Sequence, residues 1–133
     1  FEGFSSNDLS SGEEGGFSRA AVGDFHDTNI ELVIARMARP ERVVVRKGYF
    51  PDTTEGLEER LALVSLDVDL YKPTIAGLNY FYPRLSPSGC IFIHDYNNRR
   101  YKGVRSAVEE FSDATGAPLV QLPDMAGTAI LLK

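Results

Sequence analysis

The sequence predicts an α/β domain built on a mostly parallel sheet with an antiparallel C-terminal edge. Strand-length apolar runs at 42–47, 61–66 and 90–93 alternate with segments of helical period, which is the pattern of a sheet wound with helices. Two of those runs end in clustered polar residues, Leu66-Asp67-Val68-Asp69-Leu70-Tyr71 and Ile93-His94-Asp95-Tyr96. The last two runs, 119–122 and 128–132, are joined by Pro123-Asp124-Met125-Ala126-Gly127, too short for a helix, so they return antiparallel.

Each element has a local reason. Residues 5–27 are rich in Ser, Gly, Asp and Glu without sustained periodicity and read as a long loop. The run from Ser10 to Gly16 hints at a phosphate cradle, but it follows no strand, and Glu13 and Glu14 would repel phosphate. Thr28 and Glu31 have capping-box spacing, and Ile30, Val33, Ile34 and Met37 share one helical face until Pro40 ends the helix. Val43, Val44 and Val45 form the centre of a buried strand closed by a turn at Gly48. A short helix is expected over 55–60, then a strand over 61–66. Pro73 suits a first helical turn, and Ile75, Leu78, Tyr82 and Leu85 continue the helical period. Pro87 and Gly89 are expected to break the chain before a strand at 90–93. A helix over 104–114 buries Val104, Ala107, Val108 and Phe111 and stops at Gly116.

Composition narrows the function. With 133 residues, 43% of them hydrophobic, the chain supports one domain over 1–133 with a real core. A net charge of −5 and a pI near 5.0 exclude nucleic acid and anionic membrane as main partners, since both reward clustered Lys and Arg. The single cysteine, Cys90, cannot form an internal disulfide, and no secretory signal pattern opens the chain, so a reduced, cytoplasmic setting is expected. No apolar run approaches the roughly 20 residues that span a bilayer.

The chemistry is expected at the strand ends, where ligands of open parallel sheets collect. If the strands at 61–66 and 90–93 are neighbours, Asp67, His94 and Asp95 face one pocket. Carboxylates gathered in a partly dry site repel one another, and a divalent cation keeps them ionised. Oxygen ligands favour Mg²⁺, Mn²⁺ or Ca²⁺, whereas a histidine ligand shifts the preference toward transition metals. Asp69 has two readings, a cap for the following helix or a direct chemical role. His94 also has two, a site residue or a strand-end histidine bonded to a backbone carbonyl. His26 is read as solvated, and Tyr49, Phe50, Tyr71, Tyr80, Phe81 and Tyr82 as core or pocket wall.

Four strings occur in order: Phe1-Glu2-Gly3-Phe4, Lys47-Gly48-Tyr49-Phe50-Pro51-Asp52-Thr53, Leu66-Asp67-Val68-Asp69-Leu70-Tyr71-Lys72-Pro73-Thr74 and His94-Asp95-Tyr96. Together with the helix opening at Gly103-Val104, they resemble the macrocin O-methyltransferase family over nearly the whole chain. The resemblance implies a Rossmann-like, S-adenosylmethionine-dependent class I methyltransferase sheet, of which this chain is the later two-thirds, lacking the first strand and its glycine-rich cofactor loop. It implies methylation of a hydroxyl on a sugar or other natural product, with Mg²⁺ assistance. Asp67 would be catalytic base and metal ligand, and Asp95 a second ligand. Gly48, Tyr49 and Phe50 would lie by the adenine of S-adenosylmethionine, with Glu2 a substitute for the acidic residue that holds the ribose. Family members carry Asp-Asp-Tyr where this chain has His94-Asp95-Tyr96, so His94 is open as a third metal ligand or as a metal-free general base.

Because the resemblance puts the cofactor loop before Phe1, the isolated chain is expected to have little or no activity. An exposed strand edge left by the missing strand would make the chain a candidate homo-oligomer. Two other readings stand beside the methyltransferase. Asp67-Val68-Asp69 matches the Asp-x-Asp string of metal-dependent glycosyltransferases, and a segment without its cofactor loop could serve in binding or assembly alone. A dehalogenase-type phosphatase fits less well, since its Asp-x-Asp string opens the fold and is followed by Thr or Val, where Tyr71 stands here.

Overall fold

A computed structural model describes residues 3–9, 20–125 and 127–133. Glu2 and the loop at 10–16 lie outside the described residues. Helix α1 (Ile30–Ala35) is followed by strand β1 (Leu61–Leu66), helix α2 (Tyr71–Phe81), strand β2 (Leu85–Ile93), helix α3 (Lys102–Thr115) and strands β3 (Leu119–Gln121) and β4 (Ala129–Leu132). Among the described residues the sheet has four strands in the order β1-β2-β4-β3. β1 and β2 are parallel, and β4 pairs antiparallel with both β2 and β3, giving the expected antiparallel C-terminal edge.

The register explains the core. Val64 lies opposite Ile91, which lies opposite Leu131, and Leu66 lies opposite Ile93, which lies opposite Ala129. Because side chains alternate across a strand, these two rows project from one face, and all six residues are buried. α2 packs on β1 and against α3, adding Leu78, Val104, Val108 and Phe111 to the core. Each such side chain contributes about 1.5–3 kcal/mol on full burial. The opposite face is less covered. Leu63 and Leu132 on it are 60% and 40% exposed.

Gly77 sets how closely α2 approaches the sheet. A Cβ there would sit 2.8 Å from a Leu66 methyl and 3.4 Å from the Phe50 ring. α3 ends at Gly116 in the left-handed conformation, φ 70°, as its sequence predicts.

Several expectations are corrected. Residues 43–47 form no strand, and Val43, Val44 and Val45 are 36%, 84% and 39% exposed. A strand needs a neighbour for its ladder, and nothing among the described residues pairs with this segment or with the outer edge of β1. The parallel part of the described sheet is therefore a single pair. No helix forms over 55–60; a single 3₁₀ turn forms just before it, at Asp52–Thr54. Asn29, not Thr28, caps α1, its side chain accepting from the Leu32 N–H at 2.8 Å. α1 is also shorter than expected, ending at Ala35 rather than running to Pro40. Pro87 and Gly89 do not precede β2 but lie within it. Leu61 pairs with Leu85 and Leu63 with Cys90, so the extra residues on β2 bulge out and spare Pro87 a place in the ladder.

Candidate active site

Because β1 and β2 are parallel neighbours in the register Leu66 opposite Ile93, their ends deliver Asp67 and Asp95 side by side. The His94 N–H donates to the Leu66 carbonyl at 3.0 Å, carrying the pairing one residue past the strand. Asp69 follows in a tight three-residue turn, with the Leu70 N–H donating to the Val68 carbonyl at 2.6 Å. Asp69 and Asp95 adopt φ of 59° and 58°, left-handed values that aspartate tolerates better than most residues. Asp69 does not cap α2. The N-cap is Leu70, without a side-chain capping bond.

The result is a carboxylate group. Oxygens of Asp67, Asp69 and Asp95 all lie within 4.8 Å of one another. Asp69 is hydrogen-bonded to Asp95, and its carboxyl is pushed up to about 7 from 3.8. Loss of water is the largest cause, then that hydrogen bond and the negative charges of Asp67 and Asp95, opposed by Arg100. Asp95 is steadied by Asn98, whose side-chain amide donates to it at 2.8 Å. His94 is exposed and is not one of the three clustered groups; Asp124 is held below the usual carboxylate range chiefly by the Thr128 hydroxyl and by the Thr128 N–H, which donates to it at 2.7 Å. Tyr96, the last residue of that string, is buried and donates to Glu109 at 3.0 Å, a packing role.

A cavity of about 720 Å³ opens beside Asp67 and Asp69, within the size range of small-molecule sites. Gly48, Tyr49 and Phe50 form part of its wall, as do Phe4, Asp8 and Phe25. Phe50 is held by stacking on Phe81, with centroids 6.1 Å apart. The Tyr49 hydroxyl donates to buried Asp8 at 2.6 Å, and this bond, with burial, pushes the phenol up to about 12. The other wall is a clamp. The Phe4 N–H donates to the Asp24 carbonyl and the Gly23 N–H to the Phe4 carbonyl, both at 3.1 Å. Phe4 meets Phe25 edge to face at 5.3 Å. Gly3 is obligatory there, with φ 74° and a Cβ position 2.3 Å from the Asp24 oxygen.

Sequence reasoning brought Asp67, Asp95, Gly48, Tyr49 and Phe50 to this place. It left Asp69 undecided and missed Asp8 and Phe25. The alternation Asp67-Val68-Asp69 was the available signal for Asp69. Asp8 meets Tyr49 across 41 residues of chain, a pairing without local signature. Among the described residues no helix is long and apolar enough to cross a membrane.

Comparison with known proteins gives a consistent picture. The sequence model of the family described as Macrocin-O-methyltransferase (TylF) matches residues 37–129. A Streptomyces olivaceus protein, 8-demethyl-8-(2,3-dimethoxy-alpha-L-rhamnosyl)-tetracenomycin-C 4'-O-methyltransferase, is 40% identical over 70 residues, 52% of this chain. The Micromonospora griseorubida Mycinamicin III 3''-O-methyltransferase is 41% identical over 70 residues, also 52% of this chain. In both cases the match spans 26% of the relative's own length. The structure of the O-methyltransferase NovP superposes with a TM-score of 0.65 at 23% identity, over 84% of this chain and 47% of that one, showing a shared fold.

Proposed function

This chain belongs to the macrocin O-methyltransferase family, and from that premise we propose that its protein transfers a methyl group from S-adenosylmethionine to a hydroxyl of a sugar-bearing natural product, with divalent-cation assistance. The observation that carries this reading is the grouping of Asp95 with Asp67 and Asp69, the last two of which line a cavity walled by Gly48, Tyr49 and Phe50. The name of the Streptomyces olivaceus relative specifies O-methylation of a rhamnosyl-bearing molecule, which supports a sugar hydroxyl as acceptor.

The residues fit both groups the reaction calls for. An aromatic and glycine-lined cavity suits an adenosyl group, with Tyr49 and Phe50 as apolar faces and Asp8 fixing Tyr49. Three clustered carboxylates are the donor set of an oxygen-preferring cation such as Mg²⁺. When bound, the methyl donor supplies an electrophilic methyl group, and the cation supplies positive charge that makes an acceptor hydroxyl easier to deprotonate. Asp67, the most exposed of the three, would take the proton of the acceptor hydroxyl as that oxygen is methylated. Asp95, held by Asn98, keeps its carboxylate oriented toward Asp67 and Asp69. The Phe4–Phe25 clamp walls one side of the cavity. His94, outside the carboxylate group, is assigned neither base nor ligand. On this reading the Asp67-Val68-Asp69 string serves methyl transfer rather than binding of a nucleotide diphosphate.

The test is methyl transfer by the complete protein to a glycosylated acceptor, followed by mass spectrometry. Asp67→Asn should lower the rate at least about 100-fold, the usual range for loss of a general base, while His94→Ala retains most of it. Wild-type rates in Asp67→Asn would remove it from the mechanism. Activity unchanged by thorough chelation would remove the cation.

A further inference from the structure

Two parts of the chain each lack what a strand needs, and each offers what the other lacks. The sheet order β1-β2-β4-β3 leaves the outer edge of β1 without a neighbour among the described residues. An open edge presents unpaired N–H and C=O groups and is a template for another strand. Residues 43–45 are three successive valines, a composition that favours a strand, yet they pair with nothing among the described residues, and Val44 is 84% exposed. Val43 is already extended, with φ −94° and ψ 125°. In its own chain the segment is tied to the loop ahead of β1: Arg46 donates to the Thr53 and Glu55 carbonyls at 3.2 and 2.9 Å.

Charge decides which partner the edge accepts. β1 is flanked by acids at both ends, Glu58 and Glu59 before it and Asp67 and Asp69 after it, with Arg60 the one base between. The valines are flanked by bases at both ends, Arg42 before them and Arg46 and Lys47 after. Arg42, Lys47, Glu58 and Glu59 are exposed and have no ion-pair partner among the described residues. Two β1 edges set side by side would place acids against acids, and two valine segments bases against bases, both destabilising. The valine segment laid on the β1 edge places bases against acids at both ends, whichever way it runs. Complementarity therefore selects an unlike pair, donor segment on acceptor edge, and every copy of the chain carries both.

We propose that the outer edge of β1 is an interaction surface for a second copy of this chain, which lays its residues 42–47 along that edge as an added strand. Main-chain hydrogen bonds give such a strand its affinity, and alternate side chains give its selectivity. Leu63, 60% exposed on the open face of the sheet, gains apolar cross-strand neighbours. Each copy gives one segment and takes one, so reciprocal exchange closes as a two-fold dimer.

The experiment is sedimentation velocity of the 133-residue chain over a concentration series, joined to amide hydrogen exchange at low and high concentration. Wild type should dimerise, and the amides of residues 43–45 should exchange more slowly as the dimer forms. Two variants separate the halves of the contact. Arg42→Glu with Lys47→Glu reverses the donor segment, and Glu58→Lys with Glu59→Lys reverses the acceptor flank; all four residues are exposed, so folding should be unchanged. Each variant should self-associate at least about 10-fold more weakly, because like charges then face each other. An equimolar mixture of the two should recover dimer, since the native β1 flank of the first meets the native segment of the second. Donor reversal that leaves association unchanged, or a mixture that stays monomeric, overturns the pairing. So does a dimer in which residues 43–45 exchange as fast as in the monomer. A wild-type chain that remains monomeric at millimolar concentration overturns the interaction surface itself.

Discussion

In cation-free protein, Asp69→Asn is expected to stabilise the fold at about pH 8 and to change it little near pH 4. Burial, the bond to Asp95 and two neighbouring negative charges raise the native Asp69 carboxyl to about 7 from 3.8. Between these values the native state holds a proton that the unfolded chain has released. Stability therefore falls as pH rises from about 4 to about 7, and the full penalty is present above 7. A gap of about three pH units corresponds to at most ~4 kcal/mol by linkage. Asp69 is only half-buried and borders an open cavity, so solvent screening reduces the effect to about 1–2 kcal/mol. Asparagine has no charge to desolvate, and its amide can still donate to Asp95. Urea unfolding followed by circular dichroism in chelator, from about pH 4.5 to about pH 8, measures the difference between variant and wild type. That difference should grow by about 1–2 kcal/mol in favour of the variant across the range. A flat difference, or a variant that loses ground as pH rises, would show that Asp69 is not held protonated by its neighbours.

Three further outcomes follow from the same geometry. Tyr49→Phe deletes the 2.6 Å bond to Asp8 and leaves that buried carboxylate without it, so it should cost about 1–2 kcal/mol in urea unfolding at neutral pH; no loss would mean the bond is not formed in solution. Gly3→Ala forces a Cβ to 2.3 Å from the Asp24 oxygen and should open the clamp, costing about 1–3 kcal/mol and speeding hydrogen exchange at the Phe4 and Gly23 amides. Leu63→Lys, at a position 60% exposed on the edge strand, should leave the unfolding midpoint within about 0.5 kcal/mol of wild type and reduce concentration-dependent association in sedimentation velocity.

Much of the fold was legible where the signal is local. The bounds of β1 were read directly, α3 and its stop at Gly116 came from periodicity and left-handed capping, and the last two strands were placed to within a residue. Adjacency of Asp67 and Asp95 also followed, because two successive apolar runs with one helix between them favour parallel neighbours. Residues 43–47 were misread because three consecutive valines state a preference and not a partner. The bulge in β2 was misread because Pro87 and Gly89 signal interruption without saying whether the strand resumes. In the site, the charge of Asp69 was visible but its turn was not.

Asp69 and Asp95 show what the fold concedes for this site. Each takes a left-handed backbone conformation that glycine would adopt without strain, and at Asp69 the negative charges of Asp67 and Asp95 oppose ionisation. Local bonds hold both turns, Leu70 to Val68 at 2.6 Å around Asp69 and the Asn98 N–H to the Asp95 carbonyl at 3.0 Å. A chain that needed only to end two strands would gain stability from glycine at both positions. Carboxylates placed there instead raise the free energy of the empty site, and whatever neutralises them recovers that energy on binding. Strain and repulsion at the strand ends thus favour the loaded state over the empty one, which links the backbone geometry of two turns to the affinity of the site they form.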